Sequence, residues 1–148
     1  SSKNKAPQSL SFKKRVHLKV DQKYLWQALT KESELDKWWN KGMKLEPFVS
    51  GEFYEPWGKN QLATGKVLSV EPFSRIRFTW KEKTWTSGEE TLCELRLIPE
   101  NQGTTLIIDH SGWETFPVKT RETTFQGFQK GWDYYLGKLR KYIDKKGQ

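Results

Sequence analysis

Residues 118–144 read VKTRETTFQGFQKGWDYYLGKLRKYID. Phe125, Phe128, Trp132, Tyr135, Leu136, Leu139, Tyr142 and Ile143 recur at spacings of three and four, which predicts one long amphipathic helix from about Val118 to Asp144. Gly127, Gly131 and Gly137 lie inside it. Each costs a helix about 1 kcal/mol against Ala, so a compensating reason is expected. Close approach of the helix to a sheet is the reason this pattern suggests.

The sheet is written upstream. From 44 to 110 the period changes from that of a helix to that of short strands. RIRFTW (75–80) alternates Ile76, Phe78 and Trp80 inward with Arg75, Arg77 and Thr79 outward. EFYEPW (52–57) sets Phe53 and Trp57 against Glu52 and Tyr54, and ATGKVLSV (63–70) follows as another strand. TLCELRLIP (91–99) places Cys93, Leu95 and Leu97 on one face; GTTLIIDH (103–110) places Leu106, Ile108 and His110 on one face. The short link between these two predicts a hairpin, and such links make strands antiparallel. If 97 pairs with 106, Cys93 stands beside His110.

Before this run, LSFKKRVHLKV (10–20) reads as a strand with Val16, Leu18 and Val20 on one face. Asp21 is a good N-cap for DQKYLWQALT (21–30), and ESELDKWW (32–39) follows as a second short helix. The order is strand, two helices, about six strands and one long helix. This predicts an α+β fold in a single domain over 10–146, after a polar, flexible tail at 1–9.

Only 34% of the 148 residues are hydrophobic and the mean hydropathy is −0.86, yet there are eight Trp, eight Phe and five Tyr. Apolar volume held in large, stiff rings leaves spaces that can take a ligand. Cys93 is the only cysteine, so no intrachain disulfide forms. That fits a reducing compartment and a cytoplasmic location. No apolar run approaches the ~20 residues of a membrane span, and no signal-peptide core is present. The net charge of +8 sits at the ends: residues 1–20 hold six basic groups and no acid, whereas 21–137 sum to −2. A nucleic-acid groove interleaves basic groups with aromatics. Here they are segregated, which argues against a nucleic-acid partner.

Nucleotide-binding glycine loops, CxxC, HExxH and GxSxG are all absent, so no cofactor and no metal are expected. Cys93 beside His110 reads as a small buried thiol and a hydrogen-bonded imidazole, with a reactive thiolate as the alternative. The carboxylates mostly fall on outward strand positions or helix surfaces, where solvation is the default. They offer no convincing acid–base pair.

VDQKYLWQALTKESELDKWW (20–39) resembles the opening signature of the START-like (SRPBCC) superfamily. The nearest branch is that of proteins similar to the activator of the heat-shock protein ninety ATPase. The Gly-Lys-Val of ATGKVLSVEPFSRIRFTW (63–80), NQGTTLIIDHSGW (101–113) and GFQKGWDYYLGKLRKYI (127–143) match in the same order. The resemblance implies a helix-grip fold: a curved antiparallel sheet of about six to seven strands wraps the C-terminal helix, and a cavity lies between them. Members of the superfamily bind lipids, polyketide-like aromatics and other apolar molecules, and some are cyclases or hydrolases. Non-enzymatic binding of a small hydrophobic or aromatic molecule is therefore expected. The alternatives are a co-chaperone-type module with a chaperone as partner, and a cyclase-like enzyme using His110. The separate N-terminal domain of the eukaryotic activator has no counterpart here, which weighs against the chaperone.

The residues expected at the ligand are Trp39, Phe53, Trp57, Phe78, Trp80, His110, Phe125, Phe128 and Trp132, with Thr64 as a further polar group. Trp38, three after Leu35, is expected in the core. Trp39 turns about 100° away and is expected at the rim of the cavity.

Overall fold

The structure, a computed structural model, describes residues 10–146; the tail assigned to 1–9 lies outside the described residues. Strand β1 (Ser11–Leu18) is followed by helices α1 (Gln22–Thr30) and α2 (Glu32–Trp38). Then come strands β2 (Lys44–Leu45), β3 (Glu52–Gly58), β4 (Gln61–Glu71), β5 (Arg75–Glu82), β6 (Thr91–Glu100) and β7 (Gly103–Ser111). A 3-10 turn (Trp113–Thr115) leads into helix α3 (Val118–Lys146). The seven strands form one antiparallel sheet in the order β1-β7-β6-β5-β4-β3-β2. This is the helix-grip arrangement.

Local chemistry sets the boundaries. The Asp21 carboxylate accepts from Tyr24 N at 2.7 Å and starts α1, a cap worth about 1 kcal/mol. Trp38 donates its indole N–H to Ala28 O at 2.8 Å, which fastens α2 to α1. The hairpin register pairs Leu97 with Leu106, Leu95 with Ile108 and Cys93 with His110, as the alternation predicts. Asn101 and Gln102, both at positive φ, form its two-residue turn.

Two irregularities shape the sheet toward α3. In β3 the register shifts between Pro56 and Gly58, leaving Trp57 as the extra residue of a bulge. Bulges re-aim side chains, and Trp57 is 39% exposed. Pro56 is tolerated because β2 pairs only with Phe53 and Tyr54, so β3 is an edge there. In β4, a Cβ on Gly65 would stand 1.7 Å from Thr79 O, so only glycine lets β4 and β5 approach this closely.

The core is largely aromatic. Trp113, Phe53 and Phe78 are among its largest fully buried side chains. The glycines of α3 depart from the close-packing expectation. A Cβ on Gly127, Gly131 or Gly137 would meet nothing within 4 Å. Gly127 and Gly131 leave space between helix and sheet rather than drawing the two together.

Candidate functional site

Strands β3, β4 and β5 set Glu55, Ala63 and Glu82 in one row: Glu55 pairs with Ala63, and Ala63 pairs with Glu82. Two strand spacings put the carboxylate backbones roughly 10 Å apart, and the methyl of Ala63 fills little of the gap. Both acids continue the inward alternation. Glu55 comes two residues after Phe53, and Glu82 two after Trp80. The sequence reading placed carboxylates outward by default and missed both.

Glu55 is only 4% exposed. Trp39 Nε1 donates to its Oε2 at 2.6 Å, and Asn40 Nδ2 donates to the same oxygen at 3.1 Å. Burial pushes the Glu55 carboxyl up from 4.5 to about 7; the nearby Glu82 adds to this, and the two donors oppose it. Glu82 is also raised by burial, while the indole of Trp80 favours its charged form. The Tyr135 hydroxyl accepts weakly from Asn40 Nδ2 at 3.4 Å, and burial raises its pKa.

Around this row lies a cavity of about 660 Å³ between sheet and α3, within the range of ~300–1,000 Å³ common for small-molecule sites. Its wall combines Trp39 and Asn40 after α2, Glu55 and Trp57 of β3, Trp80 and Glu82 of β5, and Trp85 beyond it. From α3 come Phe128, Trp132 and Tyr135, with Thr124, Gly127 and Gly131 between them. Trp39 stacks on Tyr135 at 5.1 Å and meets Trp132 edge-on at 5.3 Å. Phe128 stands edge-on to Trp80 at 5.8 Å.

Of the residues expected at the ligand, the cavity wall holds Trp39, Trp57, Trp80, Phe128 and Trp132. Phe53 and Phe78 lie outside it, fully buried: Phe53 packs on Phe78 at 4.7 Å and on Trp80 at 4.6 Å, so these rings support the wall from behind. Phe125 packs on Phe12 and Trp113, away from the cavity. Thr64 is exposed, because its neighbour Ala63 takes the inward position. Trp38 is in the core as expected. Trp39 is 6% exposed rather than at a rim. The chain leaves helical geometry at Trp39 (φ −103°, ψ −101°), and its indole is held by Glu55 inside the wall. The exposed ring at this cavity is Trp57.

His110 is fully buried and outside the cavity wall. Trp132 Nε1 can only donate, so His110 Nδ1 accepts it at 3.0 Å. The ring proton therefore sits on Nε2, 2.8 Å from Thr91 Oγ1. Both nitrogens are engaged, and burial lowers the pKa to about 3. His110 thus orients Trp132, a wall residue. Cys93 is its cross-strand neighbour, but burial holds the thiol well above its ordinary pKa. Iodoacetamide at pH 7 is expected to leave Cys93 unmodified in the folded protein and to alkylate it in urea; rapid native labelling, read by mass spectrometry, would revive the thiolate reading.

No group of three His, Cys, Asp or Glu side chains among the described residues is arranged to hold a metal ion. No helix among them is long and apolar enough to cross a membrane.

Solved structures share the architecture. Protein MLL2253 from Mesorhizobium loti is 23% identical at a TM-score of 0.77, over 92% of this chain and 98% of that one. The Aha1 dimer from Colwellia psychrerythraea is 18% identical at a TM-score of 0.76, over 90% and 96%. DynU16, a protein of the dynemicin biosynthetic locus, is 20% identical at a TM-score of 0.74, over 90% of this chain and 47% of that one. At these identities the likeness is one of fold. No curated protein matches the sequence significantly. The family model described as Activator of Hsp90 ATPase homolog 1-like protein matches residues 19–144, and the chain belongs to that family.

Proposed function

We propose that this protein binds a small hydrophobic or aromatic molecule, without turnover, in the cavity between the sheet and α3 of a single START-like domain over 10–146. The observation that carries this reading is the space itself. Gly127 and Gly131 face it one helical turn apart, on a helix they weaken, and rings line the remaining walls. Rings offer large apolar contact at low conformational cost. That DynU16 comes from a biosynthetic locus lends support to a small-molecule role. The co-chaperone alternative rests on the family description. Cyclase-type catalysis by His110 would need a free ring nitrogen, and both are occupied.

Titration with a library of aromatic amines, phenols, arenes and fatty acids, followed by tryptophan fluorescence, tests the reading. A saturable change for at least one member, with micromolar or tighter affinity, is the expected result. Flat titrations across the library would overturn it.

A further inference from the structure

We propose that the ligand of this cavity is a cation: an amine, protonated or quaternary, borne on an aromatic or apolar body and held between Glu55 and Glu82. The inference rests on the cavity-binding reading above and names the class of molecule.

Four observations converge on it. First, neither acid has an ion-pair partner: the salt bridges among the described residues involve other groups. Second, the donors that reach Glu55 both go to Oε2, and Oε1 makes no hydrogen bond among the described residues. Third, Trp80 is 4% exposed, lines the cavity and stands two residues before Glu82 on the same inward face. Its indole favours the charged form of that carboxylate. Fourth, the rest of the wall is mainly aromatic, with Trp39, Trp57, Trp85 and Trp132 among its rings. Aromatic faces attract a cation, and tryptophan does so best.

The chemistry of filling the site decides among ligand classes. Any occupant strips water from Glu55 and Glu82. Above the pKa of the two acids, a neutral hydrocarbon would either leave the carboxylate charge desolvated and uncompensated or force proton uptake, and both cost free energy. An anion would add repulsion. A cation supplies the missing counter-charge while its apolar body meets the rings.

Benzyltrimethylammonium and neopentylbenzene share one shape and differ by a single charge, which makes them the pair of probes. Binding is followed by tryptophan fluorescence at pH 8, where Glu55 is mostly ionised. The wild type is expected to bind the ammonium roughly tenfold more tightly than the hydrocarbon, or better. Glu55→Gln and Glu82→Gln are each expected to weaken the ammonium by about tenfold and to leave the hydrocarbon unchanged or stronger. The Glu82 variant disturbs none of the bonds that hold Trp39, so it reports independently of any repacking at Glu55. If both probes bind wild type equally, or the ammonium preference survives both variants, the cation proposal falls and the apolar-cavity reading stands. If neither probe changes the fluorescence while other members of the library do, the cation proposal falls and the cavity reading stands; flat titrations throughout overturn both.

Discussion

Glu55→Gln is expected to stabilise the protein by about 3 kcal/mol at pH 8 and to leave its stability unchanged at pH 4. The native carboxyl titrates near 7 and the unfolded one near 4.5. Below pH 4.5 both states carry the proton, so the group has no net effect on folding. Between 4.5 and 7 the unfolded chain releases the proton and the native one keeps it, so stability falls as pH rises. Above 7 the full loss is present. Gln keeps the oxygen that accepts from Trp39 and Asn40 and carries no charge to desolvate. His110 has the opposite slope: its native pKa of about 3 lies below the ordinary 6.5, so its contribution is present above pH 6.5 and lost as pH falls toward 3. Between 4.5 and 6.5 the two slopes oppose each other, and wild-type stability should be nearly flat with respect to these groups. In the Gln variant the His110 slope should stand out. Urea unfolding of both proteins at pH 4, 6 and 8 reads this directly. Equal stability of the two at pH 8 would show that Glu55 is not held in a desolvated state.

Gly127→Leu with Gly131→Leu is expected to weaken any cavity ligand by a hundredfold or more while leaving the fold at least as stable. Overfilling a packed site costs about 1–3 kcal/mol per position, which for two positions reaches a hundredfold in affinity. The helix itself gains, because Leu is better than Gly by somewhat under about 1 kcal/mol at each position. Ordinary tolerance of the new side chains is expected, since a Cβ at either position meets no atom within 4 Å. The matching Gly→Ala pair is the control: raised melting temperature and nearly unchanged affinity. A Leu pair that unfolds the domain, or that binds ligand as well as wild type, would contradict the placement of these glycines on an open cavity.

The sheet and helices were legible because their periods are clean. Ile76, Phe78 and Trp80 alternate inward in β5, and the Cys93–His110 register follows from two alternating strands and a short turn. The candidate site was only half legible. Its rings stood out, but its acids were hidden by a sound prejudice, that carboxylates sit in water. The alternation Phe53-Glu55-Trp57 and Trp80-Glu82 already put both on the inner face. What could not be read was the tolerance for them. The indole that holds Glu55 comes from Trp39, sixteen residues away, and the gap between the acids depends on Ala63 in an intervening strand. The glycines of α3 misled for a related reason. A missing side chain can permit contact or leave a void, and only the position of the opposite surface decides which.

The eight tryptophans give the most direct reading of the cavity, because their indole N–H resonances are separate reporters. Trp39, Trp57, Trp80, Trp85 and Trp132 line the space, whereas Trp26, Trp38 and Trp113 lie elsewhere in the core. Indole N–H correlation spectra recorded through a ligand titration should show saturable shifts at the first five and none of comparable size at Trp26, Trp38 or Trp113. Shifts confined to the latter three, or absent from all five wall indoles at saturation, would contradict a ligand site between the sheet and α3.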